Sequence, residues 1–102
     1  MLALICRWKA PRTLRATPWP TAKQLALQGI RVNGAHPTVT PTPMAGNAWS
    51  DPAKAAGLMT HIPAGRFAES SDIAEVILFL LSDEAAMVNG ISMPVDGGFM
   101  IA

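Results

Sequence analysis

The chain has 102 residues, half of them hydrophobic and 15% charged, so we predict one small domain at most. Its single cysteine excludes an internal disulfide framework, and its two distant histidines predict no metal site. The single cysteine fits a reducing compartment and no apolar run is long enough to span a membrane, so we expect a cytoplasmic protein with no membrane partner. We also expect no nucleic-acid partner, although a basic N-terminal segment keeps that alternative open.

Residues 1–23 form a basic segment for which we expect irregular structure. No Asp or Glu occurs before Asp51, whereas six of the eight basic residues do. Three prolines exclude one continuous helix, namely Pro11, Pro18 and Pro20. Three interpretations stay open: a mitochondrial-type presequence, a nucleic-acid-binding arm, and a mis-started or disrupted reading frame. We favour the last and separate residues 1–23 from a domain over residues 24–102.

The stretch from Gly29 to Met44, GIRVNGAHPTVTPTPM, predicts a strand followed by an open loop. Residues 24–28 fit the last turn of a helix that stops at Gly29, and the next residues alternate with a period of two. His36 precedes Pro37, and a residue before proline favours extended conformations. We therefore expect the strand to end here and to be followed by a loop and not by a helix. Stiff, hydroxyl-bearing loops beyond the carboxyl end of a strand are where open α/β sheets bind ligands.

Two helices are predicted in the second half of the chain. Ser50 or Asp51 can cap a short helix whose first turn contains Pro52. The stretch from Asp72 to Ser82 carries a helical apolar stripe, with Ser70 and Ser71 as expected caps. Two further large apolar residues, Leu78 and Phe79, lie outside this stripe. We expect this surplus to contact the rest of a larger domain or a partner subunit.

A second strand is predicted from Ile91 to Val95, where apolar residues alternate with Ser92 and Pro94. Proline within the strand places it at the edge of a sheet. A strand, a helix and a second strand imply parallel strands joined by a right-handed crossover. Two parallel strands cannot cover both of their apolar faces, so we predict the fold class α/β and one end of a larger sheet.

Five short motifs together resemble the last part of the short-chain dehydrogenases/reductases. They are Gly29-Ile30-Arg31-Val32-Asn33, Pro37 with Thr42, Gly65-Arg66-Phe67-Ala68-Glu69, Ile77-Leu78-Phe79-Leu80-Leu81-Ser82-Asp83 and Pro94-Val95-Asp96-Gly97-Gly98. Pro37-Thr38 and Trp49-Ser50-Asp51-Pro52 are similar to the branch of the L-xylulose and carbonyl reductases. The resemblance implies the C-terminal portion of a doubly wound, Rossmann-type parallel sheet.

The resemblance also implies an NADP- or NAD-dependent carbonyl/alcohol oxidoreductase that is oligomeric and acts on a small carbonyl or polyol substrate. The implied cofactor-binding residues are Pro37, Thr38, Val39, Thr40 and Thr42. Met44 and Trp49 would face the substrate. The implied subunit contacts are the helix from Asp72 to Ser82 and the strand from Ile91 to Val95.

Several family features are missing from these residues. The chain has no glycine-rich phosphate loop, no active-site serine and no Tyr-x-x-x-Lys motif, and it contains no tyrosine at all. We therefore predict no catalytic residue and no activity of this chain alone. The alternative is a non-catalytic module that docks onto a homologous enzyme subunit. His36 replaces the usual Asn before Pro37, and we expect its role to be structural.

Overall fold

The computed structural model describes residues 3–7, 18–43 and 51–102. Its longer elements are strand β1 (Ala3–Arg7), helix α1 (Pro18–Leu25), strand β2 (Arg31–Pro37), helix α2 (Pro52–Met59), helix α3 (Ser70–Leu81) and strand β3 (Ser92–Val95). Short 3-10 turns follow α1, α3 and β3, at Ala26–Gln28, Asp83–Ala85 and Phe99–Ile101. Among the described residues, no helix has the length and apolar character needed to cross a bilayer.

The three strands form one sheet in the order β1-β2-β3. β2 and β3 are parallel, and their register runs from Gly34 opposite Ser92 to Pro37 opposite Val95. This arrangement confirms the predicted parallel pair, and β3 lies at an edge of the described sheet. The carboxyl ends of the two strands therefore lie side by side, which is where open α/β sheets place their ligands.

Strand β1 pairs antiparallel with the other edge of β2, with Ala3 opposite Ala35 and Arg7 opposite Arg31. Residues 3–7 and 18–23 are thus regular, and the prediction of irregular structure was wrong for both stretches. Pro18 and Pro20 lie in the first turn of α1, where a backbone N–H has no intrahelical partner, so proline is tolerated there. The separation of residues 1–23 from a domain over 24–102 stays a prediction, and the proposed boundary falls within α1.

Strand β2 is buried on both faces. Val32 packs with Ala22 and Ile30, so that α1 covers one face. Ala35 packs with Leu80 of α3 on the other face, because residues an odd number of positions apart on a strand point in opposite directions. Burial on both faces is the usual environment of a strand in a parallel sheet.

The helix caps follow the sequence prediction only in part. Asp51 caps α2, since its side chain accepts a hydrogen bond from the Ala53 N–H at 3.0 Å. For α3 the expected caps were wrong, because Glu69 occupies the N-cap position in an extended conformation. The Asp72 carboxylate in the first turn accepts the Glu69 N–H at 2.8 Å, and the helix begins at Ser70, two residues before the predicted start at Asp72.

Large apolar side chains remain exposed near the C-terminus. Leu78 is 66% exposed and Phe79 is 39% exposed on α3. Met100 and Ile101 of the final 3-10 turn are 75% and 89% exposed. The surplus apolar surface expected on α3 is therefore present, and the last turn adds to it.

Candidate functional site

The candidate site is the carboxyl end of β2, and side chains from the strand hold it against the connection between α3 and β3. The Arg31 guanidinium donates to the Val88 carbonyl at 3.1 Å and to the Ser82 carbonyl at 3.0 Å. These two bonds tie the start of β2 to the end of α3 and to the connection that follows it. The strand therefore enters the sheet at a defined position.

Two asparagines complete this attachment. Asn33, 1% exposed, donates from Nδ2 to the Val88 carbonyl at 2.9 Å and accepts the Ile91 N–H on Oδ1 at 3.2 Å. Asn89 accepts the Val32 N–H on Oδ1 at 2.9 Å. The sequence analysis assigned no role to either residue. The available signal was a polar asparagine inside an apolar strand, which is a position that requires partners when it is buried.

Beyond β2, the loop carries most of the predicted cofactor-binding residues. Pro37 ends the strand, and Thr38, Val39, Thr40 and Thr42 are all half-buried. These five residues lie within six consecutive positions of the chain, and their cofactor-binding role stays a prediction. The two predicted substrate residues, Met44 and Trp49, lie outside the described residues, and their role stays a prediction.

Three buried polar atoms at this strand exit have no hydrogen-bond partner within the described part of the chain. They are His36 Nε2, Thr38 Oγ1 and Thr40 Oγ1. A buried polar atom without a partner costs about 1–3 kcal/mol, so each such atom requires an explanation, and a bound ligand is one that fits this position. The nicotinamide end of NAD(P) carries amide and hydroxyl groups that would satisfy them. The residues present at the loop therefore fit this cofactor.

The strand exit itself is electrically neutral, since no Asp, Glu, Lys or Arg occurs from His36 to Pro43. A phosphate or carboxylate would find no side-chain counter-charge on this stretch. Neutral hydrogen-bonding groups are the ligand chemistry that these residues suit.

An open groove of about 270 Å³ lies beside the end of β3 and contains an ion pair. Arg66 forms two parallel hydrogen bonds to the carboxylate of Asp72, at 2.6 and 2.9 Å. The bonds from Arg66, with the bond from the Glu69 N–H, lower the pKa of Asp72 to about 2. Arg66 and Asp72 are thus paired with each other, while a third charged residue of the groove, Asp96, accepts the Gly98 and Met100 N–H groups.

Comparison with known proteins identifies relatives over most of the chain. Residues 13–100 match the profile of a family described as enoyl-(acyl carrier protein) reductase. The chain is 52% identical over 79 residues to an L-xylulose reductase of Bos taurus, covering 78% of the chain and 32% of the relative. It is 49% identical over 81 residues to a D-erythrulose reductase of Gallus gallus, covering 79% of the chain and 33% of the relative.

Solved structures agree with these matches. One protein of Agrobacterium tumefaciens, provisionally assigned as a 2-deoxy-D-gluconate 3-dehydrogenase and solved with bound NADP, gives a TM-score of 0.78 at 35% identity, covering 81% of the chain and 34% of that protein. A short-chain dehydrogenase/reductase of Mycobacterium ulcerans gives a TM-score of 0.77 at 30% identity, covering 80% and 30%. The chain spans about a third of the length of the curated relatives it matches.

Proposed function

The chain belongs to the short-chain dehydrogenase/reductase family, near its L-xylulose reductases, and we propose that it forms the nicotinamide side of an NAD(P)-dependent oxidoreductase site. The observation that carries this proposal is the strand exit with its three unpartnered buried polar atoms. The position of this exit at the carboxyl edge of a parallel pair supports the same role.

The proposed roles follow the order of the loop. Pro37, Thr38, Val39, Thr40 and Thr42 hold the nicotinamide end, while Met44 and Trp49 face the substrate. When bound, the cofactor supplies the hydride exchanged with a carbonyl or alcohol carbon. The contribution of the chain is to orient this end of the cofactor and to exclude water from it.

We propose that these residues do not catalyse the reaction by themselves. A carbonyl reduction needs a proton donor near the carbonyl oxygen, and the family uses a tyrosine for this step. The 102 residues contain no tyrosine. The activity therefore depends on groups that these residues do not supply.

The proposed substrate is a small neutral ketose or polyol. Relatives of this chain carry the names L-xylulose reductase and D-erythrulose reductase. The uncharged stretch from His36 to Pro43 suits such a substrate better than an anionic one. The single cysteine, Cys6, supports a reducing compartment, and we place the protein in the cytoplasm.

The experiment is a titration of the purified full chain with NADPH and NADH, followed through its backbone amide resonances, together with an assay of L-xylulose reduction. We expect shifts at Thr38, Val39 and Thr40 and no turnover. Gln24→Ala, in the exposed part of α1, is the control and should bind as the unchanged chain does. Absence of shifts at the loop would contradict the cofactor site. Turnover by the purified chain would contradict the proposed dependence on other groups.

A second candidate function is a non-catalytic module that docks onto a homologous enzyme subunit through α3 and β3. The exposure of Leu78 and Phe79 favours it, because isolated soluble domains seldom leave adjacent large apolar residues uncovered. Co-purification with a full-length L-xylulose reductase tests this function. Leu78→Glu should abolish the association, whereas Lys54→Glu on α2 should leave it unchanged. Equal association of both variants would argue against docking through α3.

A further inference from the structure

Strand β1 covers an edge of the sheet from outside the part of the chain that resembles the relatives. Its residues, Ala3–Arg7, precede residue 13, where the match to the family profile begins. The matched residues supply β2 and β3 as a parallel pair, whereas β1 runs antiparallel to β2. β1 is thus an addition of this chain to the parallel pair that the family match accounts for.

The edge of β2 that β1 covers is where a larger sheet would continue. Pro94 lies within β3, and proline is confined to edge strands, so the sheet ends at β3. Any further strand must then pair with the other edge of β2. The matched stretch covers only 32% and 33% of the two curated relatives, which therefore have further residues to supply such a strand. In this chain β1 takes that place.

We propose that β1 is a removable cap, supplied by the chain itself, which closes the edge of β2 against pairing with another chain. When β1 moves away, the bare edge accepts residues 3–7 of a second copy, because the pairing that β1 makes within one chain can also form between two. The inference goes beyond the proposed function and holds whether or not the loop binds NAD(P).

The backbone groups of β2 are divided between its two neighbours. The Gly34 N–H and the Val32 carbonyl form hydrogen bonds of 2.8 and 2.9 Å with the segment that leads into β3. Successive residues of a strand direct their backbone groups to opposite sides, so Asn33 and Ala35 direct theirs to β1. Loss of β1 leaves the backbone groups of these two residues without a strand partner, while the bonds to the β3 side remain.

Two features make β1 easier to displace than β3. The register places Arg7 opposite Arg31, and like charges in directly opposite positions destabilise a pair of strands. The β3 side is held in addition by the side chain of Asn33, which accepts the Ile91 N–H at 3.2 Å. Local opening begins where the fewest interactions hold a segment, so β1 should open while β2 and β3 stay paired.

Native-state hydrogen exchange of the unchanged full chain tests whether β1 opens by itself. The amides of Asn33 and Ala35 should have protection factors at least about tenfold lower than the amide of Gly34, which bonds to the β3 side. Gly34 lies between them on the same strand and is therefore the internal control. Equal protection of the three amides would show that β1 opens only together with the whole sheet and would overturn the cap.

Two proline variants form a matched pair. Ile5 lies opposite Asn33 and directs its N–H to β2, whereas the N–H of Cys6 faces away. Ile5→Pro should therefore release β1, and Cys6→Pro should leave it paired. Each full chain is titrated under reducing conditions with a synthetic peptide of residues 1–9, which represents the strand of a second copy. Ile5→Pro should bind this peptide at least about tenfold more tightly than Cys6→Pro and the unchanged chain do, with shifts at Asn33 and Ala35.

Three binding results would overturn the inference: equal affinity of the unchanged chain and Ile5→Pro for the peptide, no binding by a folded Ile5→Pro, and equal binding of a peptide that itself carries the Ile5→Pro change. Unfolding of Ile5→Pro beside a folded Cys6→Pro would show that β1 belongs to the core, which also excludes a removable cap. If neither variant folds, the exchange measurement on the unchanged chain decides. No cofactor is added, so the cofactor site is judged separately by its own titration.

Discussion

The side chain of Asn33 accepts the backbone N–H of Ile91, in the place of a strand-to-strand backbone bond. Its Oδ1 accepts the Ile91 N–H at 3.2 Å, while the Ile91 carbonyl accepts the Gly34 N–H at 2.8 Å. The side chain of Asn33 thus extends the pairing of β2 and β3 by one residue toward their amino ends. The carboxyl ends of both strands, where the candidate site lies, are positioned through this contact.

Substitution of Asn33 by Ala should destabilise the chain strongly. The change leaves the Ile91 N–H without its partner, and an unsatisfied buried group costs about 1–3 kcal/mol. It also removes one of the two hydrogen bonds to the Val88 carbonyl, which keeps only the bond from Arg31, and such a bond contributes about 0.5–1.5 kcal/mol. We expect a loss of about 2–3 kcal/mol in the free energy of unfolding, measured by urea denaturation. Gln24→Ala is the control, since exposed substitutions change stability by less than about 0.5 kcal/mol. A loss for Asn33→Ala as small as for this control would show that the buried contacts are not needed.

Stability should fall as the pH falls from about 4 to about 2, because folding keeps Asp72 ionised beside Arg66. The pKa of Asp72 is lowered from 3.8 to about 2. As the pH falls, the unfolded chain therefore protonates this carboxylate at a higher pH than the folded chain does. Its stabilising contribution is complete above the unfolded pKa and disappears as the folded pKa is passed. The thermal midpoint between pH 2 and pH 5 measures this effect.

Asp72→Asn should flatten that pH dependence, since the titrating group is gone. Lys54→Gln removes an exposed charge on α2 that takes no part in this ion pair, and should keep the slope of the unchanged chain. The same slope in Asp72→Asn as in the unchanged chain would mean that another group produces the acid sensitivity.

Two glycines should respond in opposite directions to alanine. Gly97 has a φ of 61°, and an added Cβ would lie 2.8 Å from Ile62 Cγ2 and 2.9 Å from Ala64 Cβ. Gly97→Ala should therefore cost about 1–3 kcal/mol of stability. Gly57 lies within α2 with nothing within 4 Å of an added Cβ, so Gly57→Ala should stabilise by about 0.5–1 kcal/mol. Urea denaturation measures both, and a change of the same sign in both variants would contradict the described surroundings of Gly97.

Thr38→Val should leave stability unchanged or raise it by up to about 1 kcal/mol. The substitution removes a buried hydroxyl that has no partner among the described residues, while it keeps the volume of the side chain. The affinity for NADPH should fall in the same variant. A clear loss of stability would instead indicate that the hydroxyl is bonded within the protein and is not held for a ligand.

The sequence determined the elements whose signals are local. The period-two pattern and the proline after His36 predicted β2 and its exit, and the apolar stripe predicted α3 to within two residues at either end. Asp51 was one of two expected caps of α2, and the structure selects it. The strand exit rich in threonine and proline could likewise be predicted, since its residues are contiguous in the chain, and its cofactor-binding role stays a prediction.

Only the tertiary structure decided the features that depend on distant partners. Asn33 bonds to residues 55 and 58 positions away, and β1 obtains its hydrogen bonds from the edge of β2, so no window of sequence displays either contact. The unpartnered state of His36, Thr38 and Thr40 is also a property of the folded surroundings, because it depends on burial without a bonding neighbour. Local patterns specify backbone preference, whereas which polar groups find partners is set by the packing of segments far apart in the chain.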